Sequence, residues 1–202
     1  IVLDGNQYNL YPGQERAEAI IDGQERNGPG SHPRRTSGEH RNKAAFATLT
    51  GEGSVVTWGN KTFGGDREVV ADNLRIGVVR IFSNERAFAA LKEDGSVVTW
   101  LLSDFGGGGG EISEQISSGV IRIFSTQRAF AALKDNGSVV TWGPASHGGD
   151  SSAVAEDLTS GVTQVFSTGT AFAALKEDGS VIAWGVNGGA DDAEAVSNHL
   201  AQ

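Results

Sequence analysis

The sequence contains no cysteine, no methionine, four prolines and four histidines. It has no apolar run approaching the ~20 residues that a membrane-spanning helix requires. Without cysteine there are no disulfides, no thiolate chemistry and no cysteine-based metal site. With no methionine and with isoleucine at position 1, the chain reads as a processed product or a fragment whose targeting signal is gone. The compartment stays open in the sequence, an organelle lumen included. Basic residues are also short: 16 against 25 acidic ones, a net charge of −9. That balance excludes a typical nucleic-acid binder, which needs basic surface to displace phosphate counterions. Scarce proline beside 29 glycines points to many tight turns, and to neither collagen nor a stiff linker. At 202 residues, 38% apolar and 20% charged, the chain is long enough for one sizeable core.

What is present is a repeat. Trp58, Trp100, Trp142 and Trp184 follow one another at intervals of 42 residues. Each closes a near-identical phrase: AAFATLTGEGSVVTW, RAFAALKEDGSVVTW, RAFAALKDNGSVVTW and TAFAALKEDGSVIAW. A second phrase, VVRIFS, VIRIFS and VTQVFS, sets Phe82, Phe124 and Phe166 at the same period. Val70, Ile112, Val154 and Val196 keep step, as do Leu74, Ile116, Leu158 and Leu200. No insertion or deletion interrupts the register, and chance does not produce such a pattern. Residues 1–43 fall outside it: His40 stands one period before Phe82, and His32 before Leu74. This segment carries six basic and six acidic residues, so the acidity belongs to residues 44–202. A short helix over 15–21 and a loop over 28–38 are expected there.

One unit reads as follows. AFAAL and VVTW flank a turn containing Asp-Gly, and Gly tolerates the positive φ that a tight hairpin demands. Alternation sets Phe88 and Ala90 on one face and Ala89 and Leu91 on the other. Both faces are apolar, so both must be covered. VRIFS adds a third strand ahead of the hairpin. The V-x-x-x-L segment suits either one helical turn or a short edge strand. Three or four strands per unit, with tryptophan and glycine turns, predict an all-β fold of tandem propeller-like blades. A blade cannot bury two faces alone, so neighbours stack and the tryptophans belong to the cores between them. The sequence shows four AFAAL strands and four VVTW strands but only three IFS strands. That count allows either a small ring of four closed short of one strand or an open arc.

The order of hairpin, D-G turn, V-V-T-W-G, Gly-Gly step, V-x-x-x-L and I-F-S strand resembles the regulator of chromosome condensation repeat. The resemblance covers residues 44–202, about four units. The units are also similar to those of long repeat proteins in dinoflagellate algae. It implies a β-propeller of the family's usual seven blades, which this chain alone does not supply. Two features depart from the family: the shorter unit, and Leu101 where the others keep Gly59, Gly143 and Gly185. The family includes a nucleotide-exchange factor for a small GTPase, chromatin binders and ubiquitin-ligase accessory domains. Their functional residues lie in loops this sequence does not match.

No catalytic, cofactor-binding or metal-binding set emerges. The glycine run 106–110 lacks the Lys and Ser or Thr of a phosphate loop, since Glu111 and Ile112 follow. Asp66, Asp150 and Asp192, and Asp94 and Asp178, recur at turns without the closely alternating carboxylates of a calcium loop. The serines after the turn glycines, Ser96 and its relatives, are expected to bond the turn backbone. The histidines sit at non-matching positions, and no HExxH or G-x-S-x-G phrase occurs. What varies among otherwise equal units marks loops, and loops carry contacts. The candidate contact residues are Asn60, Lys61, Thr62 and Phe63; Asn84 and Glu85; Ser103, Asp104 and Phe105; Thr126 and Gln127; Ser146 and His147; and Thr168. The segment 101–110, with Leu101 and five glycines, is expected to depart from its counterparts and to be the most mobile loop.

These readings make the chain a non-catalytic repeat module that binds another protein or joins a larger assembly. No enzyme, no cofactor and no nucleic-acid partner is expected. Two alternatives stand beside it. One is a peripheral structural subunit of a large complex, at a membrane or in plastid photosynthesis. The other is a surface binder of calcium or glycan.

Overall fold

In the computed structural model the described residues are 2–3, 6–7, 39–66, 68–100 and 112–186. Two short strands, β1 (Val2–Leu3) and β2 (Asn6–Gln7), pair antiparallel. The remaining strands form four antiparallel sheets of three strands each. Blade 1 is β3 (Glu39–Arg41), β4 (Ala45–Leu49) and β5 (Val55–Gly59). Blade 2 is β6 (Val78–Ser83), β7 (Phe88–Lys92) and β8 (Val97–Trp100). Blade 3 is β9 (Val120–Ser125), β10 (Phe130–Lys134) and β11 (Val139–Trp142). Blade 4 is β12 (Val162–Ser167), β13 (Ala171–Lys176) and β14 (Val181–Gly185). The fold is all-β, built of propeller-like blades.

One strand count differs from the sequence reading. The first blade does possess its incoming strand, β3, taken from the segment read as non-repeat. Its pairs, Glu39 with Thr48 and Arg41 with Phe46, repeat those of Ile81 with Ala90 and Ser83 with Phe88 in blade 2. The backbone pairing survives although the I-F-S phrase has become Glu39, His40 and Arg41, because ladder hydrogen bonds need no particular side chain. The V-x-x-x-L segments of the described residues form short 3-10 or bend turns, not edge strands, as at Asp72–Leu74 and Ser152–Val154.

Each blade has a front face toward the preceding blade and a rear face toward the next. The rear face of blade 1 (Ala45, Ala47, Leu49, Val55) meets the front face of blade 2 (Val78, Ile81, Phe88, Ala90, Trp100), with Leu74 closing the seam. The same junction recurs between blades 2 and 3, with Ile116, and between blades 3 and 4, with Leu158. The alternation read from AFAAL is therefore the division between two successive cores. Small alanines let the sheets approach while Phe and Trp fill the space, each large side chain contributing roughly 1.5–3 kcal/mol by burial. In every blade the Phe and the Trp stack, at 5.2–5.5 Å between centroids. The Trp100 and Trp184 indoles donate to the carbonyls of Gly64 and Gly148 in the preceding linker. Trp100 and Trp184 are thus core residues that also fasten linker to blade.

A bulge in the incoming strand escapes the sequence pattern. In β6 the register shifts between Val78 and Arg80, with counterparts in β9 and β12. One inserted residue turns Val78 and Ile81, an odd number of residues apart, onto the same front face. The hairpin tip then reaches the next blade: Val120 N–H donates to Gly95 carbonyl and Val162 N–H to Gly137 carbonyl. A Cβ at Gly95 would lie 2.8 Å from Gly119 N, so this approach needs glycine.

Candidate functional site

The variable loops among the described residues fall on one rim of the stack. Each incoming strand ends in a four-residue turn, beginning at Asn42, Asn84, Thr126 and Thr168. Asn84 Oδ1 accepts from the N–H groups of Arg86 and Ala87 at 3.0 and 2.8 Å. Asn42 does the same for Ala44 and Ala45. Thr126 Oγ1 and Thr168 Oγ1 take the equivalent N–H of Ala129 and Ala171. These are side chains substituting for a turn acceptor, the task for which Asn and Thr are suited.

This corrects two candidate contacts. Asn84 and Thr126 are 7% and 5% exposed and are used inside the turn, so they are not available to a partner. Variation between Asn and Thr at this position exchanges one cap for another. Ser103, Asp104 and Phe105 lie outside the described residues, as does the segment 101–110. The other candidates reach the surface to different degrees. Asn60, Lys61, Thr62, Gln127, Ser146 and Thr168 are exposed. Phe63, Glu85 and His147 are half-buried.

Two linkages gather these loops together. The first joins turn to linker. Asn42 Nδ2 donates to Phe63 carbonyl, and Thr126 Oγ1 donates to His147 carbonyl at 2.8 Å, each bridging 21 residues. The second is a backbone ladder across blades: Lys43 N–H to Glu85 carbonyl, Glu85 N–H to Gln127 carbonyl, Gln127 N–H to Gly169 carbonyl. Ser125 Oγ likewise donates to Ser83 carbonyl, one full period away. The turns of all four blades are therefore in backbone register along the rim.

The linkers form the rest of the rim. After Trp58 and Trp142 the chain makes 3-10 turns at Lys61–Phe63 and Ala145–His147, each followed by a left-handed glycine, Gly64 (φ 92) and Gly148 (φ 83). Gly65 N–H closes onto Asn60 carbonyl and Gly149 N–H onto Pro144 carbonyl. Thr57 and Thr141 hold these turns from beneath through the carbonyls of Gly65 and Gly149. In blade 4 that threonine is Ala183, a difference visible in the sequence only once the bond is known.

Charge collects where blades 1, 2 and 3 meet. Glu85 pairs with Lys43 at 2.9 Å and lies 3.8 Å from Arg128. The hydrogen bond from Lys43 holds the Glu85 carboxyl below its ordinary range, against partial desolvation. The Arg86 guanidinium sits 4.9 Å over the Phe63 ring. The recurrent aspartates are engaged in turns. Asp94 and Asp178 accept from the N–H and hydroxyl of Ser96 and Ser180, and Asp66 and Asp150 accept from Glu68 and Ser152 N–H. The serine hydroxyls thus bond the Asp side chain, where the sequence suggested the turn backbone. Among the described residues no group of three or more His, Asp or Glu is placed to hold a metal ion. No helix among them is long and apolar enough to cross a membrane.

No protein-family model and no curated protein matches the sequence. Solved structures do match in shape. Yeast RCC1 (Prp20), crystallised bound to Kap60, aligns over 71% of this chain and 40% of its own at 18% identity and a TM-score of 0.46. Human WBSCR16 aligns over 71% and 45% at 19% identity and a TM-score of 0.46. The computationally designed Ika4 protein aligns over 81% and 98% at 15% identity and a TM-score of 0.39. The chain spans less than half the length of the two natural proteins. Among solved structures the chain is thus similar to RCC1 and WBSCR16.

Proposed function

We propose that the chain is a non-catalytic protein-binding module whose contact surface is the rim of turns and linkers. One observation carries the reading. The linkers after blades 1 and 3 share one backbone, with the same 3-10 turn, left-handed glycine and closing hydrogen bond, yet display different exposed side chains. Exposed Asn60, Lys61 and Thr62 occupy in one what half-buried Pro144 and exposed Ala145 and Ser146 occupy in the other. A fixed scaffold presenting variable side chains in register is an arrangement suited to recognising an extended partner surface. Asn60 caps its turn through Thr62 and Lys61 pairs with Asp66, whereas Pro144 caps its turn without a side-chain hydrogen bond, so the same backbone forms with different side chains.

The test is affinity capture from native extract of the source, comparing the wild-type chain with a rim variant. That variant combines Lys61→Ala, Thr62→Ala, Gln127→Ala and Ser146→Ala. All four are exposed and lose only surface contacts, such as Lys61 with Asp66 and Thr62 with Asn60, so thermal stability should change little. The expected result is a defined partner retained by the wild type and lost by the variant. Capture that survives every rim substitution would place the contact elsewhere and overturn the proposal.

A further inference from the structure

Among the described residues the stack has two faces left uncovered, and they are the two halves of one junction. At the C-terminal end, the rear face of blade 4 repeats the residues buried in blades 2 and 3. Phe166 is 56% exposed where Phe82 and Phe124 pack into cores. Ala173, Leu175 and Val181 are half-buried where Ala131, Leu133 and Val139 are buried. At the N-terminal end, the front face of blade 1 carries Phe46 and Trp58, stacked as in every other blade but only half-buried. Val56 is 42% exposed there, where Val98 and Val140 pack into cores.

Backbone groups show the same incompleteness. Among the described residues the rim ladder ends at Gly169 N–H on blade 4 and at Lys43 carbonyl on blade 1, one a donor and the other an acceptor. At each internal junction the hairpin-glycine carbonyl, on Gly53, Gly95 or Gly137, receives the N–H that starts the next blade. Gly179 is the corresponding residue of blade 4.

We infer that a second copy of this chain supplies the missing half, its blade 1 front face seated on the blade 4 rear face, head to tail. Gly169 N–H would then meet the partner copy's Lys43 carbonyl, and Phe166 would close against the partner's Phe46 and Trp58. The internal junction, repeated three times within the chain, is the template for this contact. The contact is heterologous, so successive copies close a ring or extend a fibre according to the rotation per copy. One replacement among the described side chains weakens this junction relative to the internal ones: Thr48 stands where Ala90 and Ala132 stand. Association must also meet the cost of lost translational freedom that the covalent junctions avoid. Self-association is therefore reversible and concentration-dependent.

The experiment uses the full chain in sedimentation velocity and light scattering, from micromolar to near-millimolar concentration. Wild type should rise from monomer mass to twice that mass or more. Val56→Glu blocks the front and Phe166→Glu blocks the rear; both sites are exposed in the monomer, so each variant should fold. Each alone should remain monomeric at every concentration. Mixed together, they retain one good front and one good rear, and should form a pair of twice the monomer mass that grows no further. A wild type that stays monomeric throughout would overturn the inference and leave the rear face to a further blade or another protein. Self-association of Val56→Glu alone would overturn it in favour of rear-to-rear contact, and a mixture that stays monomeric would also count against it.

Discussion

Phe130 and Phe46 offer a controlled measurement of what a neighbouring blade contributes. They hold the same position in the same strand, pair with Trp142 and Trp58 across the sheet, and stack on those rings at the same 5.4 Å. Their local environments within the blade match; what differs is the sheet in front. Phe130 lies fully enclosed by the rear face of blade 2, among Ala87, Ala89, Leu91 and Val97. Phe46 is half-buried. Truncating an enclosed Phe to Ala removes its transfer energy and leaves a cavity, costing about 3–5 kcal/mol. At Phe46 part of the side chain already meets solvent, which can fill the space, so the cost falls to about 1–2 kcal/mol. The predicted difference between Phe130→Ala and Phe46→Ala is thus about 2–3 kcal/mol, the contribution of one covering sheet to one side chain. Urea unfolding followed by tryptophan fluorescence reads it, at concentrations low enough to keep the chain monomeric. Repeat arrays can lose all-or-none behaviour, so segment-resolved hydrogen exchange should accompany the unfolding curve. Equal costs at the two positions would refute the reasoning, because they would mean that the stacked Trp, and not the facing blade, supplies most of the burial.

Three further outcomes follow from the structure. Gly143→Ala should destabilise by about 2–4 kcal/mol, measured by denaturation: φ is +116 and the new Cβ would lie 2.8 Å from Ala129 Cα and Arg128 carbonyl, both backbone. Asn84→Ala should cost about 1–2 kcal/mol in stability, since two turn N–H groups lose their acceptor, while Asn84→Thr, which reproduces the cap of Thr126 and Thr168, should cost less. His40, held below its ordinary pKa by burial and then by Arg80, binds its proton more readily in the unfolded chain. Its contribution to stability is therefore complete above its unfolded pKa of about 6.5 and is lost progressively as pH falls below it. Melting temperature against pH should show this loss, and His40→Phe, which restores the residue of the other blades, should remove that part of the slope.

Much of this architecture was legible because a repeat displays its own comparison. The common period of Trp58, Trp100, Trp142 and Trp184 placed the strands, and the two apolar faces of AFAAL required a neighbour on each side. Side-chain alternation is a local property of extended backbone, so Phe88 and Ala89 went to their separate cores without knowledge of the rest of the fold. The incoming strand of blade 1 was not legible, because its pairing rests on main-chain hydrogen bonds that Glu39, His40 and Arg41 make as well as Ile, Phe and Ser. The bulge that aligns Val78 with Ile81 was hidden for a related reason: it is a relation between two strands and changes no residue type. The rim divided in the same manner. Variation at Lys61, Thr62 and Ser146 marked exposed loops, and the structure keeps them exposed. Variation at Asn84 and Thr126 looked identical in sequence, yet both are buried caps, since an amide and a hydroxyl can satisfy the same N–H. The sequence by itself determined the period, the blade and the two-faced burial, which depend on short-range pattern. Only the tertiary structure decided which variable side chains face water and which two blade faces the described residues leave uncovered, because both depend on what lies 42 residues away in the chain and one sheet away in space.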